Sequence, residues 1–137
     1  MKEETLVFAA LGGLGEIGMN MALYGFGTAK KRQWIMVDCG VSFAGPDLPG
    51  VDLVMPDIRF IEAERKNLLG IVITHAHEDH FGALADLWPR LGAPVYMTPF
   101  AANLLEARRY SEESRPHPPV RVIPQRGDFK LGPFHIE

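Results

Sequence analysis

The chain lacks most of the features that would place it outside an aqueous, single-domain class. It holds one cysteine, Cys39, in 137 residues, so no internal disulfide can form. No apolar run approaches the roughly 20 residues of a membrane-crossing helix, and no charged segment followed by an apolar stretch opens the sequence. The expectation is a cytoplasmic protein with no membrane partner. A dominant charge sign is missing too. Seventeen acidic residues face 14 basic ones, for a formal charge of −3; this argues neither for nor against a polyanionic partner, because bound cations would change the local field. The basic cluster Lys30-Lys31-Arg32 reads as a solvated hairpin turn. Internal repeats and low-complexity blocks are absent. What is present is a 47% hydrophobic composition, enough for one core.

Hydrophobic period places the elements. A β-branched and aromatic run over 5–11 stops at Gly12-Gly13, and Met19, Met21 and Leu23 alternate with smaller or polar residues before Gly25 and Gly27. The apolar run 33–37 ends at Asp38-Cys39-Gly40. These predict successive antiparallel strands joined by glycine-rich turns. Segment 45–57, with Pro46, Pro49, Gly50 and Pro56, predicts a loop, after which Asp57 caps a short helix running to Arg65. A strand over 71–74 follows, and Phe81, Ala83, Leu84, Leu87 and Trp88 then share one face of a helix. Residues 95–97 predict a short strand, and Thr98 with Pro99 opens a helix reaching Tyr110. Beyond a charged, proline-rich loop at 111–119, strands over 120–123 and 129–136 flank Gln125-Arg126-Gly127-Asp128. The closing Phe134-His135-Ile136-Glu137 alternates like a strand and carries no terminating signal, so the chain is expected to be the front portion of a longer protein.

The chemistry is concentrated in His75-Ala76-His77-Glu78-Asp79-His80, directly after the apolar run 68–74. Three imidazoles and a carboxylate leaving a buried strand are what a binuclear metal site needs. Imidazole nitrogen and carboxylate oxygen suit zinc and neighbouring transition metals, at about 2.0–2.2 Å. In a sharp turn alternate residues converge, so His75 and His77 can share one ion and Asp79 and His80 a second, with Ala76 and Glu78 as spacers. Two ions about 3.5–4 Å apart ionise a water between them and clamp the attacking and leaving oxygens of a phosphodiester. Such a hydrolase site needs no protein nucleophile. The bland alternative is a set of surface turn or core histidines, against which three imidazoles in six residues weigh heavily.

Four ligands do not close two sites, because each ion takes three or four protein ligands plus water. His117, between Pro116 and Pro118, and His135, in the last strand, read as non-ligands, so the deficit agrees with a longer parent chain. A bound imidazole usually donates its outer N–H to a carboxylate or carbonyl. Asp38, ending an apolar strand, is the candidate acceptor, and a plain turn residue before Gly40 is the competing reading. Cys39 reads as a small buried filler.

Gly13-Leu14-Gly15-Glu16-Ile17-Gly18 matches a dinucleotide-binding fingerprint, with Asp38 at the end of another strand about 20 residues on. That fingerprint requires a helix facing the pyrophosphate. The stretch 19–32 has strand-like alternation instead, so the better reading is a flexible turn beside the active site.

Thr74-His75-Ala76-His77-Glu78-Asp79-His80 resembles the HxHxDH signature of the metallo-β-lactamase superfamily. The resemblance implies an α/β fold, the αββα sandwich, of which this chain would form the N-terminal half. Ala10-Leu11-Gly12-Gly13-Leu14-Gly15-Glu16-Ile17-Gly18-Met19-Asn20, Val37-Asp38-Cys39-Gly40, the run 49–57 and the extension Phe81-Gly82-Ala83-Leu84 sharpen it. In order and spacing they resemble the ribonuclease J family, a β-CASP branch of that superfamily. This implies an enzyme of RNA processing and decay, rRNA included, that cuts RNA internally and degrades it 5′ to 3′ from a 5′-monophosphate end. His75 and His77 would bind one zinc, Asp79 and His80 the other, with Asp79 also orienting the attacking water; manganese is the alternative metal. A full-length homo-oligomer, dimer or tetramer, is implied as well. Gly50 and Asp52 occupy positions resembling a calcium site, which oxygen ligands suit; a plain proline-rich loop competes. The family's later histidine, bridging aspartate, β-CASP domain and C-terminal domain would lie beyond Glu137, so the piece alone is expected to be inactive and to bind metal weakly. A thioester or lactone hydrolase on the same fold has less claim on segments 12–20 and 49–57. A non-catalytic subunit of an RNA-degrading complex sits poorly with the intact hexad.

Overall fold

The computed structural model describes residues 2–111 and 117–137, at 109–111 the backbone alone. Thr5–Gly12 (β1) and Met21–Thr28 (β2) pair antiparallel, from Thr5 opposite Gly27 to Gly12 opposite Met21. A two-residue turn at Ala29-Lys30 returns the chain as Lys31–Val37 (β3), again antiparallel. The basic cluster straddles this turn, where Lys30 and Lys31 are exposed. Ser42–Phe43 (β4) and Leu53–Val54 (β5) form a separate short ladder, followed by the helix Arg59–Ala63 (α1). Next come Leu68–Val72 (β6), a single helical turn Glu78–Phe81 (α2), Leu84–Leu91 (α3) and Val95–Met97 (β7). Pro99–Ser111 (α4), Val120–Val122 (β8), Phe129–Leu131 (β9) and Phe134–Ile136 (β10) complete the order.

Six strands make one sheet in the order β1-β2-β3-β6-β7-β8. Its first three strands are antiparallel hairpins, and β3, β6, β7 and β8 run parallel. Parallel neighbours need crossovers, which α1, α3 and α4 supply. Leu84, Leu87 and Leu91 put a buried stripe along α3, and Gly92, left-handed at φ +70, ends it. Against this helical layer pack Met21, Leu23, Trp34, Met36, Ile71, Ile73, Val95 and Met97 from one sheet face. The opposite face carries Ile35, Val72 and Tyr96, covered by Leu131 of β9, with Tyr96 stacked on Phe129 at 4.9 Å. Period-2 alternation thus splits the central strands between two cores, and functional groups collect where the parallel strands end.

Several boundaries differ from the sequence reading. Segment 45–57 is not wholly loop, because proline-free Leu53–Val54 retains the backbone groups to pair with β4. Met19 lies before β2 with φ +32, and β2 instead continues through Gly25 and Gly27 to Thr28. The strand expected over 71–74 is Leu68–Val72, leaving Thr74 outside it. The expected strand 129–136 is a hairpin, broken by Gly132 at φ +53 before Pro133. Ile58, not Asp57, occupies the N-cap of α1, although Asp57 Oδ1 accepts the Arg59 N–H at 3.0 Å. The helix begun at Phe81 is divided, since α2 ends at Phe81 and α3 starts at Leu84. Of the loop 111–119, residues 112–116 lie outside the described residues. The Gly13–Gly18 run leads directly into β2, and no helix follows it.

Ile71 is fully buried on the central strand β6. Ile71→Ala should therefore cost about 2–5 kcal/mol and Ile71→Val about 0.5–1.5 kcal/mol, read as a shift in urea midpoint. Equal small effects would contradict its place in the core.

Candidate metal centre

Beyond β6 the chain runs as coil to His77, itself extended, and then turns into α2, so the hexad is half coil and half helical turn. This bend gathers the imidazoles. The His75 ring lies 4.7 Å from that of His77 and 4.0 Å from that of His80, centroid to centroid. His75 and His77 are exposed, whereas Asp79 and His80 are half-buried.

Asp38 ties the cluster to the sheet. At the end of β3 it adopts a left-handed φ of +66, a region Asp and Asn tolerate better than most residues, and it is only 6% exposed. Its N–H donates to Val72 O at 2.8 Å. Its carboxylate accepts the Thr74 N–H at 2.8 Å and the Thr74 hydroxyl at 2.9 Å, and meets His80 Nδ1 at 2.6 Å. A carboxylate at Nδ1 places the proton there and leaves the Nε2 lone pair for a cation. Thr74 Oγ1 lies 2.9 Å from His75 Nδ1.

The cluster fits a cation only in part. His80 Nε2 and Asp79 Oδ2 lie 3.4 Å apart, the separation of two ligands each about 2.1 Å from one tetrahedral ion. Among the described residues, however, no three His, Cys, Asp or Glu groups close round a single metal position. The donors suit a cation in kind and, for Asp79 and His80, in spacing. They make a partial donor set. His135 is engaged elsewhere, with Nε2 at 2.7 Å from Asp128 Oδ2, and His117 lines a cavity with Glu78, Phe81 and Arg108. Gly50, at φ +82, and Asp52 lie in an exposed turn where Ala44 N–H donates to Asp52 O at 2.9 Å.

Three participants escaped the sequence reading. Glu78 forms an ion pair with Arg108 of α4, whose guanidinium also sits 4.9 Å over the Phe81 ring. Gly40 allows backbone contact with the hexad, since a Cβ there would stand 1.7 Å from Asp79 O. Asn20 Nδ2 donates to Asp79 O at 3.0 Å and Asp79 Oδ2 at 3.3 Å, and is 3.3 Å from His80 Nε2. Only the position of Asn20 at the end of the Ala10 to Asn20 run hinted at it.

Residues 22–136 match the model of the Metallo-beta-lactamase superfamily. The chain belongs to that superfamily. Ribonuclease J of Sinorhizobium meliloti is 59% identical over 136 residues, 99% of this chain and 24% of the relative. Ribonuclease J of Mycolicibacterium smegmatis is 40% identical over 93% of this chain and 22% of its own length, and that of Helicobacter pylori (strain 26695) 37% over 93% and 18%. The chain thus spans about a quarter or less of these relatives. Among solved structures, the Rm3 metallo-beta-lactamase aligns with a TM-score of 0.56 and 23% identity over 93% of this chain and 46% of its own. A B3 metallo-beta-lactamase with an active-site glutamic acid aligns at 0.53 and 18%, over 91% and 46%. At such identities these two show the fold alone, the metallo-β-lactamase arrangement expected from the hexad.

Cys39, next to Asp38, has no exposed surface. Burial, with Asp38 and Asp86 adding repulsion, pushes its thiol up to about 12. It should stay protonated and inert as a nucleophile. An aromatic disulfide reagent at mildly alkaline pH should label Cys39 only after denaturant is added; prompt labelling of the native protein would contradict this placement.

Proposed function

We propose that this chain carries part of the two-metal centre of a ribonuclease that hydrolyses RNA phosphodiesters. One observation carries the chemistry: the imidazoles of the hexad converge at the end of β6, with His80 anchored through Nδ1 to a buried carboxylate at 2.6 Å. The substrate class is supported by the 59% identity to a protein named Ribonuclease J. RNA would be cut both internally and from its 5′ end, in the cytoplasm, by a full-length homo-oligomer.

His75 and His77 would hold one ion, and Asp79 and His80 the other, zinc by preference of the nitrogen and carboxylate donors, with manganese second. When bound, such a pair ionises water near neutral pH and offsets charge on the phosphodiester oxygens. The chain's own residues prepare for this. Asp38 fixes the tautomer and ring plane of His80, and through Thr74 it also bears on His75. Asp79 presents Oδ2 beside His80 Nε2 and is the candidate to orient the attacking water. Glu78 faces Arg108 instead, which keeps a second carboxylate out of the ligand cluster.

Asp38→Asn tests the anchor. Asparagine tolerates the left-handed backbone, but an amide N–H facing His80 Nδ1 would move the ring proton to Nε2. In the complete gene product we expect a 10–100-fold loss of RNA cleavage, with the melting temperature little changed. Wild-type cleavage would refute the anchor. If thioester substrates were turned over and RNA left intact, the ribonuclease reading would fall while the hydrolase reading survived.

The 137-residue chain by itself should show no RNA cleavage above background and only weak zinc retention on dialysis. Full-strength cleavage by this piece would overturn the view that its ligand set is partial.

A further inference from the structure

The glycine-rich run leads into the strand β2 instead of the helix a dinucleotide fingerprint requires, and its end reaches the hexad. Gly13, Gly15 and Gly18 have φ of +86, +68 and +130, and Met19 follows at +32. These left-handed turns fold the run back on itself, and at Gly18 a Cβ would stand 2.1 Å from Ser42 Oγ. They deliver Asn20 to a place fixed by backbone on both sides. Its N–H donates to Asp79 O at 2.9 Å, its carbonyl accepts the Gly40 N–H at 3.0 Å, and the preceding Met19 N–H donates to Val41 O at 2.9 Å. The side-chain amide, held with little freedom left to lose, contacts two candidate ligand atoms, Asp79 Oδ2 and His80 Nε2, each at 3.3 Å.

We infer that Asn20 is a positioning residue, which holds Asp79 Oδ2 and His80 Nε2 at the separation one cation requires. The inference rests on the two-metal reading above and deepens it. An amide has two N–H groups, and here three acceptors compete for them: Asp79 O, Asp79 Oδ2 and His80 Nε2. Once a cation takes the lone pair of Nε2, the two N–H groups match the two Asp79 oxygens. Metal binding therefore costs Asn20 no satisfied donor. His80 is held at its other nitrogen by Asp38, so each member of the ligand pair has its own brace, one from the end of β3 and one from the loop before β2. The Gly12 to Asn20 run thereby acquires a role in the hydrolase site.

The test is a cobalt(II) titration of the metal-stripped complete gene product, followed by visible ligand-field absorption and ion stoichiometry, with no activity assay involved. Asn20→Leu removes both donors and keeps the branched four-atom shape of the side chain, though with more bulk. Wild type should take up two ions, and Asn20→Leu should bind one as wild type does and the second 10–100-fold more weakly, with unchanged far-ultraviolet circular dichroism. Should leucine prevent folding, Asn20→Ser, smaller and with a hydroxyl too short to reach Oδ2, replaces it with the same expectation. Equal weakening of both ions would make Asn20 merely structural and overturn the inference. So would wild-type titration of the Asn20 variant while Asp79→Ala loses the second ion. If Asp79→Ala also titrates as wild type, the two-metal reading itself fails.

Discussion

A buried carboxylate with three donors arranged round it holds this end of the molecule together. Asp38 sits where β3 ends, in a backbone conformation few residues accept, and takes hydrogen bonds from Thr74 and His80 across the boundary between β3 and β6. Burying a carboxylate without such partners would cost several kcal/mol. The parallel register of β3 and β6, which pairs Val37 with Val72, is what puts the acceptor beside the donors. Strand order, the turn after β6 and the tautomer of His80 all converge on this contact.

The rest of the architecture serves to keep that contact rigid. On one face of the sheet the helices bury Ile71, Ile73, Val95 and Met97, and on the other Ile35, Val72 and Tyr96 lie beneath β9. β6 is therefore packed on both faces, and the turn leaving it starts from a buried strand end. Backbone hydrogen bonds extend the constraint: Cys39 N–H to His80 O at 2.8 Å and Val41 N–H to Glu78 O at 3.1 Å lash the segment after β3 to α2. Gly40 permits this approach because any side chain there would collide with Asp79.

Much of the arrangement was legible from local pattern. The hexad, the antiparallel opening strands, the helix stripe of Leu84 and Leu87, and the candidacy of Asp38 follow from residue type and spacing, since periodicity and donor chemistry are local properties. The rejection of a dinucleotide site was legible for the same reason, because no helical stripe follows Gly18. The short β4–β5 ladder was hidden by the prolines around it, and the β9–β10 hairpin by a glycine that alternation alone passes over. Arg108 left no readable mark and Asn20 only its place at the end of the glycine-rich run, since they lie 30 and 59 positions from Glu78 and Asp79, the hexad residues they touch.

From the linear order of residues alone came the candidate ligand residues, the superfamily signature and the strand that carries it, because these depend on chemistry within a few positions. Tertiary structure decided which nitrogen of His80 stays available, how far it stands from Asp79 Oδ2, and that the opening glycine run ends against the hexad. Those are relations between segments brought together by strand pairing, and no spacing along the chain encodes a distance across a sheet.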